Sequence, residues 1–343
     1  MNNFKSVLRS SLIFLAIVVL ISEIITYPYF HGETYHYQDG YVRDKMAGEI
    51  DFLICGASQA QRGISTSILD ERLQVSSYNL ASPLMTIMGR YTLLEKELER
   101  NPVDTVIIEL CYDSMVRDRD VVGPEGDYYL LGRFSKFSER AKYFLKAARF
   151  HEYAEFYNDT LTRGIKSWEK WEGNEIGTAD QYVEKGYEPL ATNPIKMIEP
   201  ELYNKEKILT DIVAENEIYL EKILALCKEK NVHVVIVATP LADAAILSYD
   251  KLDVIHEYYK NMSEKWGYEY YNFSLYKGKS DIWKDQEAYY DRNHLSQDGA
   301  MIFTEILADI VEDSLQGITS YELFYDSFEQ AQTEGILPYY GQK

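Results

Sequence analysis

Asp51-Phe52-Leu53-Ile54-Cys55-Gly56-Ala57-Ser58-Gln59-Ala60-Gln61-Arg62-Gly63-Ile64 is the stretch on which the reading of this chain turns. Its first five residues are a short apolar run closed by Gly56, the pattern of a buried strand entering a turn. A serine in the turn after a parallel strand lies at the carboxyl edge of the sheet, where open α/β folds place their sites. Backbone N–H groups at the start of the next helix can meet a developing oxyanion there. Taken alone, Gly56-x-Ser58-x-x-x-Arg62 serves equally well as a turn whose serine only caps a helix.

Downstream the pattern alternates. A helix is predicted at about 65–73, a strand at 75–80, a helix at 88–100 and a strand at 105–111 that is apolar except for Glu109. Such alternation points to an α/β fold, a central parallel sheet with helices on both sides, hence a three-layer sandwich. The rhythm breaks from 116 to 205, where Tyr, Phe, Trp, Arg and Glu dominate and helical pieces such as 138–157 occur. This reads as an insertion capping the sheet. It resumes with an amphipathic helix at 205–230, a strand at 232–238 stopped by Thr239-Pro240, a helix at 250–266 and a strand at 268–273. Ser296 is a natural N-cap for a last helix at 296–313. The α/β domain is therefore expected over 49–315, with an acidic, aromatic tail at 316–343 that the pattern does not place.

At the other end, residues 12–30 read LIFLAIVVLISEIITYPYF behind Lys5 and Arg9. That is about the 20 apolar residues a spanning helix needs. The positive flank predicts a cytoplasmic N-terminus with the rest of the chain outside. A cleavable signal peptide is the rival, but no small-x-small site follows, so 1–30 is read as an uncleaved single-pass anchor and 31–48 as a linker. Glu23 lies within the span and needs a partner helix or water, because a carboxylate facing lipid is costly.

Composition excludes some functions. The 343 residues, 46% hydrophobic, can bury a real core, and 35 Lys+Arg against 55 Asp+Glu leave a net charge of -20. That acidity argues against a grip on nucleic-acid phosphates; it suits a cationic substrate, or solubility alone. The 30 tyrosines offer broad amphipathic surface for glycan or peptide clefts as well as for core and rim. Cys55, Cys111 and Cys227 sit in apolar stretches without a CxxC and read as buried free thiols. His31 and His36 lack a third metal ligand and His233 lies in a strand, so neither metal nor cofactor is expected.

A second chemical signal stands near the C-terminus, Asp291-Arg292-Asn293-His294-Leu295-Ser296. An Asp and a His three apart, in a loop feeding a helix, can be held side by side. The imidazole then acts as general base, while the carboxylate fixes its tautomer. What such a pair needs is a hydroxyl, and Ser58 supplies the candidate. Serine in the first block and DxxH in the last, in this order, resemble the SGNH/GDSL hydrolase superfamily. The similarity is greatest to its membrane-anchored branch around DltD and the AlgJ/AlgX/PatB-type polysaccharide O-acetyltransferases. It covers most of 49–311 in order, but only the two end motifs are sharp.

The resemblance implies Ser58 as nucleophile, His294 as base and Asp291 as its orienting partner, with no cofactor. It also implies extracytoplasmic transfer of an acetyl or D-alanyl group to a cell-envelope polysaccharide or teichoic acid, with a multi-pass membrane-bound O-acyltransferase as partner. An esterase acting on a glycan or lipid, and a degenerate binding or scaffold protein, are the alternatives. The middle blocks depart from the family: Tyr112 stands where an asparagine is expected, and no second-block glycine is evident. Backbone N–H groups of Ser58, Ala81 and Ser82 are the oxyanion candidates, and Arg62, Asn79 and Tyr112 the substrate-binding ones. Arg62 reads more readily as a surface or structural arginine than as a site for an anionic acceptor, and Trp168 with Trp171 as either a sugar platform or a buried helix face.

Overall fold

The computed structural model describes residues 2–31, 35–117, 119, 125–147, 152–169, 185–190, 211–249, 252–283 and 286–334. In chain order, helices α1 (Asn2–His31) and α2 (Tyr35–Lys45) precede strand β1 (Phe52–Cys55). Next come α3 (Ser58–Gly63), α4 (Thr66–Leu73), β2 (Ser77–Asn79), α5 (Ile87–Arg100) and β3 (Thr105–Glu109). Three helices follow, α6 (Glu125–Gly132), α7 (Phe137–Ala147) and α8 (Tyr153–Trp168). The remainder runs α9 (Ala214–Glu229), β4 (His233–Ala238), α10 (Asp243–Ser248), α11 (Leu252–Trp266) and β5 (Glu269–Asn272). It closes with α12 (Lys279–Ile282), α13 (Gln297–Leu315) and α14 (Phe328–Thr333).

These elements fall into two compact units, Met46–Gly126 with Glu184–Lys343, and Met1–Lys45 with Asp127–Val183. The first unit is α/β. Its five strands are all parallel, in the order β2-β1-β3-β4-β5. Every residue of β1, β2 and β3 is buried, which explains why Phe52–Cys55 in β1 and Val106–Ile108 in β3 are continuously apolar rather than alternating. The chain steps from β1 to β2 on one side and returns to β3 on the other. The order therefore reverses at β1, and a crevice opens beyond the carboxyl ends of β1 and β3. Phe52, Ile54 and Ile107 from the strands pack with Leu69, Phe303 and Leu307 from α4 and α13 in one core cluster.

The predicted elements are found with shifted ends. The 105–111 strand stops at Glu109, and the last helix begins after Ser296, whose hydroxyl accepts the Gly299 N–H at 3.2 Å. The helix expected from 205 starts at Ala214, with 205–210 outside the described residues. In the tail, α14 buries Phe328 and Ala331, and Tyr276 bridges to Phe324; 335–343 lie outside the described residues.

The second unit is helical. Within α1, Phe4–Tyr29 is 26 residues long and apolar enough to cross a membrane. At 1.5 Å per residue that is about 39 Å, against roughly 30 Å of hydrocarbon. Pro28 lies inside α1 and cannot donate to the carbonyl four residues back, Ile24. The Trp168 indole of α8 occupies that gap, donating to Ile25 O at 3.0 Å and Ile24 O at 3.3 Å. Gly164 permits the close approach, since a Cβ there would meet Ile25 O at 2.7 Å. Glu23 finds its partner in Arg140 of α7, at 3.0 Å.

The helical unit gathers pieces of two segments that lie far apart in the sequence. Residues 127–147 and 152–169, within the predicted insertion, group with α1 and α2. The 31–48 segment is more than a linker: α2 buries Asp39 and Arg43 as an ion pair at 2.5 Å, and Arg133 reaches Asp39 at 3.0 Å. The polar composition that reads as a linker includes charges that pair with each other.

Candidate active site

β1 delivers Ser58 through Gly56 and Ala57 to the first position of α3. Glycine is required in that turn because a Cβ at Gly56 would lie 2.6 Å from Ala60 Cβ and 2.7 Å from Glu109 Oε2. The close approach has a purpose. Glu109, fully buried at the end of β3, accepts the Ala57 N–H at 2.9 Å and so ties the serine turn to the neighbouring strand. Burial pushes the Glu109 carboxyl above the ordinary carboxylate range. Arg90 and the Ala57 N–H pull it back down only in part. Arg90, also buried, donates to Glu109 O at 2.5 Å and to Ser114 Oγ at 3.1 Å, bracing the turn after β3.

The other half of the site comes from the turn before α13. Tyr289 and Leu295 form an isolated bridge, and Tyr290 N donates to His294 O at 2.9 Å, closing a tight loop. Inside it the Asp291 carboxylate accepts the backbone N–H groups of Asn293 at 2.7 Å and His294 at 2.8 Å. His294 Nδ1 lies 2.9 and 2.8 Å from the two Asp291 carboxylate oxygens, so that nitrogen carries the ring proton. Burial alone would raise the Asp291 carboxyl. The bond and charge of His294 and the two N–H groups outweigh it and hold it below its ordinary value. Nε2 is left as the acceptor, and Ser58 Oγ donates to it at 2.8 Å. Gly299 lets α13 seat behind this loop, since a Cβ would collide with Ala288 O at 2.0 Å.

Ser58 and His294 open onto a cavity of about 170 Å³ at the carboxyl ends of β1 and β3. Leu84, Met85, Tyr112, Asp113, Arg117 and Asn293 are among the other residues lining it. Tyr112 is thus brought to the site, its ring 3.9 Å from that of Tyr249. Burial, with Asp113 nearby, raises the Tyr112 phenol and keeps it a hydrogen-bond donor. It donates to the Tyr249 hydroxyl, which in turn donates to Asn293 Oδ1 at 3.2 Å. That chain sets the orientation of the Asn293 amide and leaves Nδ2 as its donor end.

Other predicted residues lie elsewhere. Asn79 is fully buried and structural: Nδ2 donates to Ala60 O at 2.9 Å and Ile64 O at 3.1 Å, clamping α3. Its Oδ1 accepts the Ala81 N–H at 3.0 Å, so that proposed oxyanion donor is already engaged. Neither Ala81 nor the buried Ser82 lines the cavity. Arg62 points away from it and faces Glu188 at 3.9 Å. Trp168 serves α1 rather than a sugar, while Trp171 and the side chains of His31 and His36 lie outside the described residues. All three cysteines are free and buried, and burial drives the Cys55 and Cys227 thiols up to about 12.

Glu109 and Asn293 were missed in the sequence. The signal for Glu109 was a lone carboxylate in an otherwise apolar strand, and for Asn293 its place inside DxxH. A scan against protein-family models finds no match to this chain, and a search of the curated proteins finds none either.

Proposed function

We propose that this chain is a serine-dependent acyltransferase of SGNH-like, three-layer α/β architecture, anchored by α1 and acting on the extracytoplasmic side of a membrane. One observation carries the reading: Ser58, His294 and Asp291 form a continuous hydrogen-bonded chain, 2.8 Å at each best contact, at the mouth of a cavity at the sheet's reversal point. Ser58 Oγ attacks the acyl carbonyl while His294 Nε2 takes its proton, and Asp291 stabilises the imidazolium. Charge then develops on the carbonyl oxygen. The Ser58 backbone N–H, at the first position of α3 and so without an intrahelical acceptor, is one donor to it. Asn293 Nδ2 is the other, filling the role that Tyr112 cannot. The imidazolium returns its proton to the leaving oxygen, giving a Ser58 ester. An acceptor hydroxyl then attacks that ester, giving its proton to His294, and Ser58 is regenerated.

Lys5 and Arg9 before the apolar run support a cytoplasmic N-terminus. With the site outside, the acceptor is a hydroxyl-bearing envelope polymer, a polysaccharide or teichoic acid, and the transferred group acetyl or D-alanyl. By the same resemblance a multi-pass membrane-bound O-acyltransferase supplies the acyl group. A fluorophosphonate probe tests the nucleophile: wild type should label and Ser58→Ala should not. Absence of labelling in folded wild type at neutral pH would favour a scaffold. Ester content of the polymer in a deletion strain separates transfer from hydrolysis; loss supports transfer, and accumulation supports an esterase.

A further inference from the structure

The helical unit contains a cavity of about 190 Å³ unconnected with the chemistry above, walled by α1 at Ser22, Glu23 and Thr26, by Leu131 of α6 and by α7 and α8. Its surface is almost entirely carbon, from side chains such as Leu131, Phe137, Ala141, Phe144 and Leu161. The polar side chains in the wall are engaged within the unit. Glu23 and Arg140 pair at 3.0 Å, and Arg140 also donates to Phe134 O at 2.9 Å. Ser22 Oγ donates to Val18 O at 2.8 Å and meets the Tyr157 hydroxyl, while Thr26 donates to Ser22 O at 2.8 Å. A polar ligand would find those groups already satisfied, and water would lack the two to four polar partners it needs. Apolar cavities of about 150 Å³ stay dry and take up benzene, so a void of this size suits a hydrocarbon.

The wall also identifies the source. Ser22, Glu23 and Thr26 belong to the segment long and apolar enough to cross a membrane. Beside the cavity, α7 and α8 expose Leu145, Ile165 and Trp168, 66%, 56% and 45% accessible. Apolar side chains left uncovered next to a spanning helix are continuous with the lipid that surrounds it.

We propose that this cavity binds an acyl chain of a bilayer phospholipid, locking α7 and α8 onto the anchor. The inference rests on α1 spanning the membrane. It is tested on the full chain in phosphatidylcholine nanodiscs whose lipids carry a diazirine on the acyl chain, with crosslinked peptides mapped by mass spectrometry. Crosslinks are expected on cavity residues of α7 and α8, such as Ala141 and Leu161, as well as on the Leu12–Leu20 stretch of α1. Ala141→Met and Ala141→Phe, which fill the void progressively, should lower the α7 and α8 yield about tenfold at the larger residue while α1 labelling persists. Labelling of α1 alone in wild type overturns the cavity proposal and leaves the anchor intact. Absence of labelling on α1 as well overturns the anchor. The wild-type map decides even if neither variant folds.

Discussion

Asn293 is the residue on which the proposed chemistry is most exposed to test. If its amide stabilises the oxyanion, Asn293→Ala should lower turnover of an activated ester by about 10²–10³ with KM little changed. A rise in KM with turnover unchanged would place Asn293 in substrate binding instead. Glu109 makes a different prediction, through pH. Its folded value is raised above the roughly 4.3 of an unfolded glutamate, so its stabilising contribution is complete below that pH. The contribution is lost as pH rises through the folded value. Glu109→Gln keeps an oxygen for the Ala57 N–H but cannot titrate. Urea midpoints of the variant should therefore fall less between acid and neutral pH than those of wild type, although Arg90 loses a buried counter-charge. Equal slopes would show that Glu109 does not titrate differently on folding.

At the scale of elements, the serine turn depends on how closely β1, α3 and β3 approach. Gly56→Ala would force a Cβ to within 2.6 Å of Ala60 Cβ and 2.7 Å of Glu109 Oε2. Neither neighbour can move without shifting α3 or the β3 carboxylate. Overpacking of this kind costs about 1–3 kcal/mol. A lower melting temperature together with slower fluorophosphonate labelling of Ser58 is expected; a variant with wild-type values for both would show that the turn has slack. The sequence revealed this element because an apolar run ending in glycine is a local pattern. It did not reveal α10, since a short helix without a full amphipathic repeat leaves little periodic signal.

For the whole molecule, α1 falls in one unit with α7 and α8, and the Glu23–Arg140 pair joins α1 to α7. Arg140→Met should loosen α7 from α1 by about 2 kcal/mol, below the ~3–5 kcal/mol of a fully buried pair because Glu23 is 32% exposed. Faster proteolysis of α7 and α8 in nanodiscs, restored by adding Glu23→Leu, would show it; an unchanged rate would mean that apolar packing alone holds them. By itself the sequence determined the parallel α/β sheet, the long apolar N-terminal helix and the two motifs that hold Ser58, Asp291 and His294, because strand period, turn chemistry and i,i+3 spacing act locally. Only the tertiary structure brought Ser58 to His294 across 236 positions, since that proximity depends on strand order and on how α13 seats against Ala288. It alone engaged the Ala81 N–H with Asn79, placed Asn293 on the cavity wall and grouped α7 and α8 with α1. Those outcomes depend on where side chains point after packing, and residue order does not encode that locally.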